Sequence, residues 1–330
     1  MQKSTLKKLS QTLGLSISTV SRALKDHPDI SDATRKKVKE LAAAMEYEPN
    51  SYAVQLRTRK SNVIGVLIPT INNFFYDSFI GAVEEEARKH GYSLLIMQSG
   101  DTVENETACL QYLRQHNVMG LFVALSVETE NLVPFKKMEE LEIPVIFIDR
   151  VPEEKGFYTV CLADEAAARM AAEAIIEKNK KNVLALFGHP HLSITRIRRE
   201  TFTNIFKAKA PKTKITIDHT ENGNASRLAT VAALRSSKKP DVIFCMGDLI
   251  LTGVMKAIHE LKLKVPQDVS VIGISNGFMP TLFSPEITYV ETSGGKLGKL
   301  SFAQMLARLR SENVPENVIV ESLLVRGGSL

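Results

Sequence analysis

The amino-acid sequence predicts a small all-α helix-turn-helix head followed by an α/β body of two parallel-sheet lobes. Three observations lead to this prediction. Short, capped helical patterns fill the first fifty residues. From about residue 62, short β-branched runs alternate with amphipathic helices, which is typical of parallel sheets with helical crossovers. The chain has 330 residues, which is more than one ordinary domain.

The positive charge is concentrated at one end of the chain. The net charge is +5, and residues 1–60 carry 12 Lys and Arg against 6 Asp and Glu, so the rest is almost neutral. A basic domain on a neutral body is expected of a nucleic-acid-binding protein with a second task. A solvated basic tail is the alternative interpretation.

Composition argues against several classes of protein. The longest apolar runs, such as 63–68, have the length of a strand and fall short of the roughly 18–20 residues of a membrane helix. The start, MQKSTLKKLS, has no apolar segment of a secretory signal. Three widely spaced cysteines without a CxxC motif indicate reduced thiols. We therefore expect a cytoplasmic protein with no membrane partner and neither a cofactor nor a metal.

The first helix of the head is predicted from its cap and its apolar period. Thr5 precedes Leu6, Leu9 and Leu13, which share one helical face. Threonine is a favourable N-cap, and Gly14 suits the left-handed residue that ends a helix.

Two further helices follow after short connections. Ser16 is predicted to cap a helix that runs to about Leu24 with Val20 inward, and Ser31 to cap a third over about 32–45. Two short helices joined around a glycine form a helix-turn-helix, whose second helix enters the DNA major groove. Phosphate contact is a possible second role of both serines.

The outward face of the second helix carries the residues expected to contact DNA. Small hydroxyl groups allow close approach to bases or phosphates, and Arg22 can bind guanine O6 and N7 together. Thr19 is expected to secure the helix against its own backbone. The remaining members of this face are Ile17, Ser18 and Ser21.

The stretch "TLKKLSQTLGLSISTVSRALKDHPDISDATRKKVKELAAAMEYEPNSYAVQL" resembles the DNA-binding head of the LacI/GalR family of transcriptional regulators. The resemblance implies base reading by Ile17, Ser18 and Arg22. It also implies a hinge over 50–61 that becomes helical on operator DNA, with a leucine inserted into the minor groove. A flexible linker is the alternative for this segment. The DNA-binding residues expected in all are Thr5, Leu6, Ser16, Ile17, Ser18, Thr19, Ser21, Arg22, Ser31, Asn50, Ala53 and Leu56.

The body is similar to the effector domain of the same family, with the fold of type I periplasmic binding proteins. The clearest matches are "VPQDVSVIGIS" and "VIFCMGDLILTG". The resemblance implies a head over 1–49, the hinge, and a body over 62–330. Lobe 1 is expected over about 62–160 plus 292–320, and lobe 2 over about 161–291 plus 321–330.

Loops after strands supply the candidate contacts to a small-molecule effector, because ligands bind at the carboxyl ends of parallel strands. An ion pair between the lobes is the alternative for Asp149, and a solvated helix face is the alternative for Arg198. The candidates are Phe74, Phe75, Ser126, Asp149, Arg198, Asp248 and Asn276.

Several positions depart from the family pattern and bear on the ligand. Gly247 replaces an asparagine, Thr201 replaces the glycine of R-x-x-G-F, and Ser275–Asn276 replaces an aspartate pair. Losing several polar ligands argues against a simple neutral sugar and favours a sugar acid or sugar phosphate that pairs with the arginine. We expect a homodimeric repressor of a catabolic operon that binds pseudo-palindromic operator DNA and a carbohydrate-derived effector. The alternative is a dimeric DNA-binding protein whose body has lost its effector response.

Catalytic and transport functions find little support in the sequence. "GISNG", residues 273–277, matches the G-x-S-x-G elbow of α/β-hydrolases, but no histidine follows Ser275 in the chain, as that fold requires. His189 and His191 lack a nearby third metal ligand. We therefore expect no enzyme, and the basic head argues against a solute-binding protein.

Overall fold

The computed structural model describes residues 5–47 and 61–330. The chain divides into two compact units, with the boundary between Ser61 and Asn62. The predicted hinge residues Asn50, Ala53 and Leu56 lie outside the described residues. In the described ranges, no helix is long and apolar enough to cross a membrane.

The head contains three helices around a small apolar core. They are α1 (Leu6–Leu13), α2 (Ile17–Leu24) and α3 (Asp32–Ala44). The predicted N-caps are confirmed, because the hydroxyls of Thr5, Ser16 and Ser31 each accept a backbone N–H from the first helical turn. Gly14 ends α1 at φ +65°. The buried core side chains are Leu9, Val20, Ala23, Ile30, Val38 and Ala42.

The body begins with strand β1 (Val63–Ile68), in which every residue after the first is buried. Buried β-branched and leucine side chains suit a parallel strand that is covered on both faces. The other strands are β2 (Ser93–Gln98), β3 (Gly120–Val123), β4 (Val145–Ile148), β5 (Tyr158–Leu162), β6 (Asn182–Phe187), β7 (Lys214–His219), β8 (Val242–Cys245), β9 (Ser270–Ser275), β10 (Thr288–Glu291), β11 (Asn317–Val320) and β12 (Leu323–Val325).

Helices alternate with these strands and cover the sheets. They are α4 (Phe74–Lys89), α5 (Val103–Gln115), α6 (Val133–Glu140), α7 (Asp164–Glu177), α8 (Ser193–Lys209), α9 (Gly223–Arg235), α10 (Asp248–Glu260) and α11 (Gly294–Leu309), with a 3-10 turn at Met279–Leu282.

The strands form two six-stranded sheets, which confirms the two-lobed parallel-sheet prediction. The first has the order β11-β5-β4-β3-β1-β2 and is parallel throughout. The second has the order β12-β10-β9-β8-β6-β7, and only β12 is antiparallel to its neighbour. We call the first sheet with its helices lobe 1 and the second lobe 2.

The chain crosses between the lobes three times. The crossings follow β5, β10 and β11. Strand β5 stays in the first sheet as far as Leu162, two residues beyond the expected crossing, because it pairs with both β4 and β11. The carboxyl ends of the parallel strands from both sheets border one cleft, where the candidate effector residues gather.

Candidate functional sites

The outward face of α2 is the candidate DNA-binding surface. Ile17, Ser18 and Arg22 are exposed, whereas Val20 and Ala23 on the opposite side are buried in the head core. Ser21 is half-buried. The eight-residue helix therefore presents an apolar, a hydroxyl and a cationic side chain on one surface.

Arg22 is held only loosely by its neighbours. Its Nη1 atom lies 3.9 Å from Asp29 Oδ2, and the two side chains are 47% and 64% exposed. Such an exposed pair contributes little to stability and can break when a phosphate or a base competes. Arg35 is instead half-buried and paired with Asp32.

The hydroxyl groups of the head differ in their hydrogen-bond partners and in their exposure. Ser16 Oγ accepts the Thr19 N–H at 3.1 Å and lies 2.8 Å from both the Ser18 and Thr19 hydroxyls. Thr19 is half-buried, and its hydroxyl bonds to the Ser16 hydroxyl of the cap, whereas the sequence predicted a bond to the backbone. Thr5 is an exposed cap, while Leu6 packs partly against the head core. DNA contact by these residues stays a prediction.

The candidate effector site is a cavity of about 300 Å³ between the two lobes. Five of the seven predicted effector residues line it. These are Phe75, Asp149, Arg198, Asp248 and Asn276. Phe74 and Ser126 are not among its lining residues.

The two predicted residues outside the cavity have structural partners of their own. The Phe74 ring lies 6.0 Å from the Phe278 ring, measured between centroids. Ser126 is buried, its hydroxyl donates to Ser99 Oγ at 2.8 Å, and its N–H donates to Glu106. An effector role for either residue stays a prediction.

Asp149 ends β4 in a left-handed backbone conformation, at φ +57°. Its carboxylate accepts the Tyr76 hydroxyl at 2.8 Å, and both side chains are buried in lobe 1. The hydrogen-bond partner of Asp149 is therefore within its own lobe, not across the cleft. Burial raises the pKa of Asp149, although Arg150 and the Tyr76 hydroxyl oppose the shift.

Arg198 is buried, not solvated, and its charge is already paired. Its Nε and Nη2 atoms lie 2.7 and 2.6 Å from one oxygen of Asp164, and Nη1 donates to the Met246 carbonyl. Burial raises the pKa of Asp164, while Arg198 lowers it. The second arginine of the cleft, Arg150, pairs through Nη1 with the more exposed Asp101.

Asp248 starts α10 and accepts two hydrogen bonds from the end of β9. The Ser275 hydroxyl and the Asn276 N–H are its donors. Burial raises the pKa of Asp248, because these neutral donors only partly replace lost hydration.

Asn276 joins the two lobes through its side-chain amide. Its Oδ1 accepts the Ser78 hydroxyl at 3.0 Å and the Gly294 N–H at 3.1 Å, and its Nδ2 donates to the Phe74 carbonyl at 3.1 Å. All three partners belong to lobe 1, while Asn276 follows a strand of lobe 2. Its side chain therefore has few hydrogen bonds left to offer a ligand in this arrangement.

Several cavity residues were not predicted from the sequence. Tyr76 lies one residue beyond the predicted phenylalanines. Thr220 and Glu221 follow β7, so the rule that ligands bind at the carboxyl ends of strands could have predicted these two residues. The Thr220 hydroxyl is buried without a hydrogen-bond partner. Asp164 does not line the cavity, but it pairs with the charge of Arg198. This pairing can be seen only in the folded structure.

The helix-turn-helix head and the two-lobed body with its cleft define a two-domain regulatory protein of the periplasmic-binding-protein type. The family model described as "Bacterial regulatory proteins, lacI family" matches residues 5–50, and the "Periplasmic binding protein-like domain" model matches 165–330. The chain belongs to the lacI family of bacterial regulatory proteins.

Individual relatives are similar over nearly the whole chain. The ribose operon repressor of Halalkalibacterium halodurans is 26% identical, over 93% of this chain and 91% of its own length. The transcriptional repressor PurR of Vibrio atlanticus is also 26% identical, over 95% and 94%.

Solved structures share the fold. The lac repressor dimer bound to operator and the anti-inducer ONPF has a TM-score of 0.89 at 22% identity and covers 99% of both chains. A LacI transcriptional regulator from Alkaliphilus metalliredigens complexed with D-xylulofuranose has a TM-score of 0.72 at 23% identity, over 82% of this chain and 99% of its own.

Proposed function

We propose that the chain is a DNA-binding transcription repressor whose operator affinity depends on a small carbohydrate-derived effector in the lobe cleft. The outward face of α2 is the observation that carries the proposal. Ile17, Ser18 and Arg22 stand exposed on a helix whose other side is fixed in the head core. A helix presented in this way can enter a major groove without unfolding anything else.

DNA reading follows from the chemistry of that face. The Arg22 guanidinium can donate two hydrogen bonds to a guanine, which is worth about 1–3 kcal/mol of discrimination against a wrong base. Ser18 can approach a base edge closely, and the basic head attracts phosphates. A homodimer with two such heads would read the half-sites of a pseudo-palindrome.

The cleft supports control by a ligand. It is a concave cavity lined by both lobes, with carboxylates and arginines among its lining residues. A ligand that binds one lobe arrangement more tightly shifts the population toward it. A coupling of about 1–3 kcal/mol would change operator affinity about 5–150-fold.

We infer that the chain acts by binding and catalyses no reaction. The hydroxyl of Ser275, the serine of G-x-S-x-G, donates to the Asp248 carboxylate. The similar relatives are named as repressors. The division into 1–49, 50–61 and 62–330 is likewise proposed; it is supported by the end of α3 at Ala44 and the start of β1 at Val63.

A DNA selection experiment tests the reading function. DNA is enriched from a random pool by the full chain, and the variants Arg22→Ala and Lys37→Ala are compared on selected and unselected duplexes. Both substitutions remove one positive charge, but only Arg22 lies on the outward face of α2. We expect Arg22→Ala to weaken selected DNA about 5–150-fold more than unselected DNA. Equal losses on both duplexes, or no enriched sequence, would contradict base reading by Arg22.

A ligand screen tests the control function. Thermal unfolding with matched sets of sugars, sugar acids and sugar phosphates should identify a compound that stabilises the full chain and changes its affinity for the selected DNA. A stabilising compound without effect on DNA affinity, or no stabilising compound, would favour the alternative of a body without effector response. A genome-wide binding profile with the neighbouring genes would then indicate the biological ligand.

A further inference from the structure

The charge of the cleft arginines is already balanced within the protein. Arg198 is 6% exposed and donates through two nitrogens to Asp164 and through the third to the Met246 carbonyl. Asp164 is itself 8% exposed and is the first residue of α7, where the helix dipole favours a carboxylate. An anion that binds Arg198 must therefore displace Asp164, a buried carboxylate that makes short contacts and is favourably placed at a helix N-terminus.

The other arginine of the cavity, Arg150, also has a carboxylate partner. Arg150 pairs with Asp101, and both side chains line the cleft. Asp149 and Asp248, in contrast, hold their buried carboxyl groups with neutral donors: the Tyr76 hydroxyl in lobe 1 and Ser275 and Asn276 in lobe 2. The cavity thus offers a ligand two buried carboxyl acceptors, while both of its arginines already have a carboxylate partner.

We propose that Asp164 is a specificity-determining residue, which reserves the cleft for a polyhydroxylated ligand without an acidic group. The inference rests on the proposed function and narrows the effector class. Asp164 neutralises the one buried arginine that would attract a carboxylate or phosphate. The ligand instead donates hydroxyl protons to Asp149 and Asp248.

Electrostatic repulsion strengthens the discrimination against anionic ligands. In a partly desolvated cleft, an anion near Asp149 and Asp248 meets like charges at reduced dielectric, and the cavity arginines Arg150 and Arg198 already have carboxylate partners. Removing the charge of Asp164 frees Arg198 and should convert the cleft into an anion-binding site.

The test titrates the full chain with sodium phosphate and follows thermal unfolding, with sodium chloride of equal ionic strength as the salt control. Asp164→Asn keeps the shape of the side chain and removes its charge. Glu165→Gln is the matched control, because Glu165 is the exposed neighbour in the same helical turn. We expect saturable stabilisation by phosphate in Asp164→Asn, at least about tenfold tighter than any response of the wild type or of Glu165→Gln. The additional change Arg198→Gln should abolish it.

Two results would overturn the proposal. One is a folded Asp164→Asn protein without a phosphate response. The other is a wild-type response that Arg198→Gln removes, since Arg198 would then be open to anions already. If Asp164→Asn does not fold, the wild type decides alone: no phosphate response supports the proposal, and an Arg198-dependent response refutes it. The assay contains no DNA, so its result is independent of whether α2 reads an operator.

Discussion

Asp248 shows how one buried carboxyl makes the stability of the body depend on pH. Its pKa is raised by burial, so the folded state holds the proton more tightly than the unfolded chain does. Stability from such a group is greatest at low pH and is lost as the pH rises from the ordinary carboxyl pKa of about 4 through the higher folded value. At pH values above the ordinary carboxyl pKa, the burial of Asp248 therefore lowers the stability of the ligand-free body.

The substitution Asp248→Asn should stabilise the ligand-free protein at pH 7. The amide oxygen can take the place of Oδ2 and accept the Asn276 N–H, while the amide NH2 takes the place of Oδ1 and donates to the Ser275 hydroxyl oxygen, and the buried charge is gone. We expect the advantage over wild type to shrink as the pH falls toward 4, where Asp248 becomes protonated. Urea unfolding between pH 4 and 7.5 measures this difference.

Asp218→Asn is the control for this measurement, because Asp218 is exposed on β7. Its effect on stability should depend much less on pH. An advantage of Asp248→Asn that stays constant over the whole range would show that ionisation of Asp248 is not the cause.

At the residue scale, local contacts could be predicted and distant ones could not. The caps Thr5, Ser16 and Ser31 bond within three residues of themselves, so the sequence pattern contains the whole interaction. Arg198 and Asp164 are 34 residues apart and meet only because α7 and α8 pack together. Arg198 was predicted as a ligand contact from its position in the sequence, but its pairing with Asp164 could be identified only from the fold.

At the scale of elements, one helix pair approaches so closely that it requires a glycine. Helices α9 and α10 cross at Gly253, where an added Cβ atom would lie 2.0 Å from Ser226 Oγ and 2.1 Å from the Gly223 carbonyl oxygen. The carbonyl belongs to the backbone and cannot rotate away. The crossing therefore requires glycine for its space.

The substitution Gly253→Ala should destabilise the body by about 3 kcal/mol, because the two helices must separate. Gly81→Ala is the matched control: Gly81 lies inside α4, and its added Cβ would meet no atom within 4 Å. Alanine is the better helix former, so this variant should gain up to about 1 kcal/mol. Denaturant unfolding of both variants checks the contrast, and similar effects of the two would contradict the close-packing explanation.

At the scale of the whole body, the side-chain amide of Asn276 connects the lobes across the cleft. Asn276 bonds to Ser78, Phe74 and Gly294, which lie between 18 and 202 residues away in the chain. The alternation of strands and helices predicted both sheets. It did not predict this connection, because the strand-end rule locates a residue near the cleft without saying what its side chain binds.

Asn276→Ala should loosen the lobe contact without unfolding either sheet. The Gly294 amide loses its acceptor, so its hydrogen exchange should accelerate about fivefold for a bond worth about 1 kcal/mol. The Lys296 amide bonds to Ser293 Oγ within lobe 1 and should be unaffected. Equal acceleration at both amides would indicate fraying of α11 and not loss of the connection.

The three crossings of the chain between the lobes have a consequence for how this protein folds during its synthesis. The edge strands β11 and β12 complete different sheets, yet they follow one another within residues 317–325. On the ribosome, neither lobe can finish its sheet until this segment has emerged, although most of both cores has been synthesised long before. A chain that stops at residue 310 would leave both sheets with an unpaired edge, and an exposed edge readily pairs with another chain. One late segment thus decides whether the nascent body folds alone or aggregates.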